Sequence, residues 1–416
     1  MLVSYYDSYV ILSKVYSDGA YIKQALNNTV IEESNRNAVT KICYGVLDKN
    51  VTLDYILDEF CAKKPKLAIR TLLKIALYSI IYLKTAPHAV CDTIVELCKK
   101  LGKSGVSGFV NAVLRNYLRK GVKLPIDNSA LSLSIRYSCP EFIVKKLVKD
   151  YGEEIAVSFL SYDEEKAYIR FNKNQNGVEY LDGINAQYSS TVFDNVFEVK
   201  NFKQNVDFLN GVYTFQSIGS VAICNVLKGG GSLIDCCSAP GGKSVLLADK
   251  FDSVTACDVH EHRVALINSY ANRMKKSNVT AIVKDGTVYD NSFDSKFDAV
   301  LCDAPCSGTG VMKENPDIKL NREERSIKEL SHLQLEILSN VSKYLKVGGE
   351  LVYSTCSVLK EENDLVIDSF IKNNDNFKVE KITSPLSNIK TKNGLQFLPQ
   401  LSNGAGFYVS KLIKTK

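Results

Sequence analysis

No stretch of this 416-residue chain stays apolar for the roughly 18 residues a membrane-spanning helix requires. The greasiest run, residues 67–83, is broken by Arg70 and Lys74. No secretory leader is expected either: no basic segment precedes an apolar one in the first residues, and Asp7 and Asp18 fall where a leader is uncharged. Nor is there a disulfide framework. The 12 cysteines are scattered along a long chain, and several, Cys43, Cys224 and Cys302 among them, lie in apolar stretches as buried thiols do. The expectation is a soluble cytoplasmic protein in a reducing compartment, with no membrane contact. Apolar mass is plentiful, because 45% hydrophobic and 24% charged residues exclude a disordered or fibrous chain. The length exceeds what one core supports, so two or three domains are expected.

Net charge is also scarce, at +6 overall. Residues 1–125 nonetheless hold 18 Lys and Arg against 10 Asp and Glu, a local +8, while the remainder holds 34 against 36. A basic excess confined to the front is the footprint of a nucleic-acid-facing module, although a solvated basic face has the same composition. This front part reads as helix throughout. Ile69, Leu72, Leu73, Ala76, Ile80 and Leu83 recur at helical spacing and Pro87 ends the run. Val90, Ile94, Leu97 and Leu101 mark the next helix. The glycine-rich stretch 102–108 then breaks the chain before Val110, Val113, Leu114 and Tyr117 line a last one. The pattern predicts an all-α bundle over 1–125. A hinge containing Pro125 leads into 126–225, read as a small α+β connector with helix around 140–160 and strands near 167–171 and 192–199. From 229 onward, apolar runs at 232–237, 254–259, 279–284, 299–302 and 350–354 alternate with helical spacings at 243–250, 262–276 and 327–345. That alternation predicts an α/β domain over 226–416 built on a doubly wound parallel sheet, with ligands beyond the carboxyl ends of its strands.

The loop after the first of these strands reads Asp-Cys-Cys-Ser-Ala-Pro-Gly-Gly-Lys-Ser, 235–244, and runs into a helix. Gly241 and Gly242 permit a tight turn with bare backbone amides, a surface suited to a carboxylate or phosphate. Neither G-x-G-x-x-G nor the eight-residue phosphate loop is present, which disfavours a nicotinamide oxidoreductase and leaves a nucleoside carrying a carboxylate as the better ligand. Asp258 ends the second strand, where an acidic residue takes both hydroxyls of a ribose. Asp285 follows the third, where it can accept from an exocyclic adenine amine. The fourth strand runs into Asp-Ala-Pro-Cys-Ser-Gly-Thr-Gly, 303–310, with Cys306 where enzymes that methylate exocyclic amines need an aromatic. The fifth ends in Tyr353-Ser354-Thr355-Cys356-Ser357. Two thiols therefore share one crevice, whereas most of the other cysteines are expected to be inert core. The His260-Glu261-His262 run beside Cys257, and the pair Cys302 and Cys306, have no second cluster at finger spacing, so no metal is expected.

The segments DCCSAPGGKS, DAPCSGTGV and YSTCSV closely resemble the glycine, proline-cysteine and threonine-cysteine loops of the Nop2/Sun group of RNA cytosine-5 methyltransferases, over roughly 229–416. Residues 35–46, 78–82, 87–96 and 109–115 are similar to the NusB-like RNA-binding domain. The resemblance implies a Rossmann-like class I methyltransferase that binds S-adenosylmethionine through Cys237, Ser238, Ala239, Pro240, Gly241, Gly242, Lys243, Asp258, Arg263, Asp285 and Asp303. It implies Cys356 as the nucleophile at carbon 6 of cytosine and Asp303 as the acid at nitrogen 3. Cys306 is implied as the residue that assists release of the carbon 5 proton, and Lys243 as a catalytic or charge-balancing group. The implied partner is 16S ribosomal RNA, free or in an early small subunit, with the protein a monomer. The same chemistry on transfer RNA and a non-catalytic RNA-binding factor are the alternatives, and the presence of both thiols weighs against the second. Three family features are altered, at residues 162–165, Asn315 and Ala405; these bear on RNA contacts and leave the chemistry intact.

Overall fold

The computed structural model describes residues 1–164 and 166–416, so Glu165, in one of the altered stretches, lies outside the described residues. Two compact units result: Met1–Ser161 with Met312–Arg322, and Tyr162–Val311 with Glu323–Lys416. The stretch 126–225, expected as one connector, is shared between them, with the helices up to Ser161 in the first unit and its sheet, with the later helices, in the second.

In the first unit, helices Leu2–Asp18, Glu33–Asp48, Leu67–Ile81, Pro87–Lys100 and Ser107–Lys120 bury a common core that includes Ile11, Leu47, Leu72, Ile94 and Val113. Leu67–Ile81 is its central helix, buried without interruption from Ile69 to Ser79. The two charges that break its apolar run are buried too, because acidic partners neutralise them. Arg70 Nε and Lys74 Nζ both reach Asp54 Oδ1, at 2.5 and 2.8 Å, and Arg70 also pairs with Asp58. Helices Ala130–Tyr137, Glu141–Tyr151 and Glu153–Ser161 complete this unit. Gly152, at φ 82°, splits what the sequence reads as one helix over 140–160. Residues 312–322 rejoin the chain here, with Lys319 Nζ 2.5 Å from Asp48 Oδ1 and Leu320 against the helical core.

The second unit holds two sheets. In the smaller, β1 (Ala167–Phe171), β2 (Tyr188–Ser190), β3 (Val196–Val199) and β4 (Tyr213–Phe215) lie antiparallel in the order β2-β3-β1-β4. The strand expected from 192 starts only at Val196, because Asn195 turns the chain at φ 60°. The larger sheet has parallel strands β5 (Ser232–Asp235), β6 (Ser253–Asp258), β7 (Val279–Val283), β8 (Phe297–Asp303) and β9 (Leu345–Thr355). Four more strands, β10 (Phe377–Glu380), β11 (Ile389–Lys390), β12 (Leu395–Phe397) and β13 (Phe407–Lys414), were not expected and join antiparallel. The order is β11-β12-β13-β9-β8-β5-β6-β7, with β10 on β13, so the parallel part is one half of a mixed sheet. Successive residues feed opposite cores. Leu233, Leu301 and Val352 pack with helix Ile218–Asn225 on one face, while Ile234, Val300 and Leu351 pack with helices Glu324–Val341 and Asp364–Asn373 on the other. Among the described residues no helix is long and apolar enough to cross a membrane.

Candidate active site

Each parallel strand delivers a reactive or polar side chain at its carboxyl end. Asp235 closes β5, Asp258 closes β6, Asp285 lies just past β7, Asp303 closes β8 and Cys356 follows β9.

The glycine loop joins β5 to helix Gly242–Leu247. Gly241 has φ 103°, a conformation that favours glycine, and a Cβ there would crowd Ile267 at 3.2 Å. Ser238 fastens the loop to β6, its N–H and Oγ both donating to the Cys257 carbonyl at 2.8 and 3.0 Å. Arg263 fastens it again, donating to the Ala239 carbonyl at 3.3 Å and lying 3.4 Å from Asp258 Oδ2. Pro240 completes the turn. Asp258 is buried, with Oδ1 accepting from the His260 N–H. Ser238, Ala239, Gly241, Gly242, Asp258 and Arg263 are thus brought together. Cys237 sits in the same loop with its thiol pushed far up by burial. Asp285 stands apart on the surface, where hydrogen bonds from Thr287 to Oδ1 lower its carboxyl.

These residues suit an adenosyl group with an amino-acid tail. The Gly241 turn makes no side-chain cap, which leaves backbone amides to meet a ligand, and Asp258 and Asp285 bring anionic acceptors from the two adjoining strands.

The reacting side lies one strand over. Lys243 Nζ is 2.6 Å from Asp303 Oδ2, and Ser354 Oγ donates to Asp303 Oδ1 at 2.7 Å, so both carboxylate oxygens are held. Burial alone would lower the Lys243 ammonium, but the charge and hydrogen bond of Asp303 outweigh it and hold the group above the usual lysine range. Cys306 Sγ and Cys356 Sγ are 3.0 Å apart. The hydrogen bond with Cys356 and then burial raise the Cys306 thiol.

Several contributors were missed at the level of sequence. Ser354 holds Asp303. Asp235 accepts from Ser244 Oγ at 2.6 Å, and burial pushes its carboxyl up to about 7. Gln216 donates to the Gly242 carbonyl at 3.0 Å. Glu362 is buried between the two cysteine loops. Asp235 and Ser354 stand inside the quoted motifs and could have been read from them; the other two lie outside any motif. Ala405 is buried, so its side chain offers little surface to an RNA.

A family model described as 16S rRNA methyltransferase RsmB/F matches residues 224–413, and the NusB family model matches residues 8–119. The probable ribosomal RNA small subunit methyltransferase B of Bacillus subtilis is 31% identical over 97% of both chains. This chain belongs to the RsmB/F methyltransferase family. The ribosomal RNA small subunit methyltransferase B of Escherichia coli K12 is 30% identical over 92% of each chain. Among solved structures, PH0851 superposes with a TM-score of 0.82 at 22% identity, covering 99% of this chain and 98% of its own. NSun6 from Pyrococcus horikoshii, solved with SFG, superposes at 0.58 and 19% identity over 67% of this chain and 98% of its own. Both show the same fold. As a member of this family the chain is an S-adenosylmethionine-dependent ribosomal RNA methyltransferase with a NusB-like helical domain.

Proposed function

We propose that the chain methylates carbon 5 of a cytosine in 16S ribosomal RNA, in the cytoplasm and as a monomer, through a covalent adduct with Cys356. The observation that carries this reading is the pair of thiols 3.0 Å apart at the ends of β8 and β9, beside an anchored Asp303. Carbon 5 of cytosine is too weak a nucleophile to take a methyl group unaided. A thiolate added to carbon 6 breaks the aromaticity and makes carbon 5 enamine-like. S-adenosylmethionine, when bound, supplies the electrophilic methyl. Cys237, Ser238, Ala239, Pro240, Gly241, Gly242, Asp258, Arg263 and Asp285, on the glycine loop and at the ends of the adjoining strands, would hold it. Cys356 attacks as the thiolate. Asp303 faces nitrogen 3, whose basicity rises as electrons enter the ring, and Lys243 and Ser354 fix the carboxylate for that contact. Cys306 assists loss of the carbon 5 proton, which lets the sulfur–carbon 6 bond break. The substrate class is supported by the similarity to the B. subtilis and E. coli small subunit enzymes and by the basic front domain.

The thiols separate on a denaturing gel. Cys356→Ala is expected to abolish methylation and to leave no protein–RNA band, whereas Cys306→Ala methylates once and stalls as a denaturation-resistant complex. A stalled complex from Cys356→Ala alone would reverse the roles, and near-normal turnover by both would make them core cysteines. Bisulfite sequencing of 16S rRNA from cells lacking the protein identifies the base.

A further inference from the structure

Glu362 has no part in the chemistry above, yet its carboxylate is fully buried and takes hydrogen bonds from four donors. Oε1 accepts from the Ser307 N–H at 2.7 Å and from Gln334 Nε2 at 3.0 Å. Oε2 accepts from Ser307 Oγ and from Ser357 Oγ, both at 2.5 Å. Ser307 directly follows Cys306, and Ser357 directly follows Cys356. A single carboxylate therefore grips the residue after each thiol, on loops that leave different strands.

The grip is reinforced on both sides. Thr309 Oγ1 lies 3.0 Å from Ser357 Oγ and accepts from the Val358 N–H at 3.1 Å, a second tie between the loops. Glu362 itself is fixed, since the Tyr353 hydroxyl on β9 donates to its backbone carbonyl at 2.6 Å. Burying a carboxylate is costly unless its oxygens are saturated, and an apolar side chain would fill the same space without that demand. What the carboxylate adds is directional attachment to both cysteine loops at once. Its charge also contributes, after the Cys356 hydrogen bond and burial, to raising the Cys306 thiol.

We propose that Glu362 is a positioning residue that clamps the two cysteine loops together and so sets the geometry in which Cys356 attacks and Cys306 completes the reaction. This rests on the reading of Cys356 as nucleophile. Effective nucleophilic attack needs the reacting atoms within about 3–3.5 Å, and a misplacement near 1 Å costs on the order of 100-fold. The clamp acts on the thiol loops and touches neither the glycine loop nor Asp258, so it should govern the chemical step and leave cofactor binding alone.

The test is Glu362→Gln, near in shape but without the charge that draws four donors inward. In full-length enzyme kcat is expected to fall about 100-fold, with KM for RNA and calorimetric affinity for S-adenosylhomocysteine close to wild type. In a Cys306→Ala background, Glu362→Gln should slow single-turnover formation of the covalent complex by a similar factor. Wild-type adduct kinetics in that double variant would overturn the clamp, as would an activity loss matched by lost S-adenosylhomocysteine affinity, the mark of a merely structural role. Cys306→Ala alone is the control on the underlying reading: if it forms no complex, the nucleophile assignment fails and the clamp with it. Should Glu362→Gln unfold below assay temperature, Ser357→Ala removes one arm and leaves the carboxylate in place. Slower adduct formation with unchanged S-adenosylhomocysteine affinity then supports the clamp, and an unchanged rate refutes it.

Discussion

Asp258 and Asp303 are the same residue type at equivalent strand ends, and their surroundings separate their tasks. Asp303 is gripped on both oxygens, by Lys243 at 2.6 Å and Ser354 at 2.7 Å, which suits a group that must stay oriented toward a reacting base. Asp258 has a longer contact, 3.4 Å to a half-exposed Arg263, and keeps capacity to accept from a ribose diol. Asp258→Ala removes that acceptor and one anchor of the glycine loop. Because hydrogen bonds to charged groups are worth about 1.5–3 kcal/mol, affinity for S-adenosylhomocysteine should drop roughly 10- to 100-fold by calorimetry. Unchanged affinity would remove Asp258 from the cofactor site. The cysteines show the same dependence on surroundings. Composition treats all 12 alike, but burial pushes Cys224 and Cys257 up to about 12 and leaves them protonated. Position at a strand end was the legible signal for Cys306 and Cys356. The residues that hold the site, Gln216 and Glu362, were illegible because each acts largely through partners distant in the chain, Gly242 and Arg170 for the first and Ser307 and Gln334 for the second, and a polar residue read singly has no partner.

At the scale of elements, the small antiparallel sheet is more than a spacer. Gln216, immediately after β4, donates from Nε2 to the Gly242 carbonyl, and its side-chain Oε1 accepts at 2.7 Å from Arg170 Nε on β1, a guanidinium almost wholly buried. Two strands of one sheet thereby brace the first residue of the helix that closes the glycine loop of the other. Gln216→Ala breaks the brace and strips a buried guanidinium of an acceptor, a loss of about 1–3 kcal/mol. A lower melting temperature together with a several-fold loss of S-adenosylhomocysteine affinity is expected, and a variant with both at wild-type values would show that the brace is idle. The five parallel strands were legible because each is a compact apolar run bounded by turn residues. The antiparallel half was hidden for physical reasons. β11 and β12 span only Ile389–Lys390 and Leu395–Phe397, too short to display a period. β13 carries Lys411, which reads as surface but is buried between Glu350 and Glu380 at 2.8 and 3.1 Å.

Over the whole molecule, the division of labour follows contacts and departs from chain order. Residues 312–322 follow the proline-cysteine loop in sequence but pack in the helical unit, where Lys319 is held by Asp48. Burial alone would raise the Asp48 carboxyl, but Lys319 and Lys49 outweigh it and hold it well below the usual range. Cutting the chain at residue 125 would leave Lys319 without that partner and uncover Leu320, just beyond the loop that carries Cys306. Deletion of the front domain therefore confounds loss of RNA affinity with disruption of residues 312–322, and point neutralisation is the cleaner measure of the +8 charge. Arg115, Arg119 and Lys120 lie exposed on helix Ser107–Lys120. Replacing all three by Gln should weaken RNA binding at low salt, with the curves for variant and wild type converging as salt rises. The slope of log K against log salt should shrink by about 0.7–0.9 for each of the three that meets a phosphate. Affinity for S-adenosylhomocysteine should not change, since none of the three belongs to the methyltransferase unit. Equal RNA affinity at every salt concentration would mean that this helix face is merely solvated, and that the basic excess meets the RNA elsewhere or not at all.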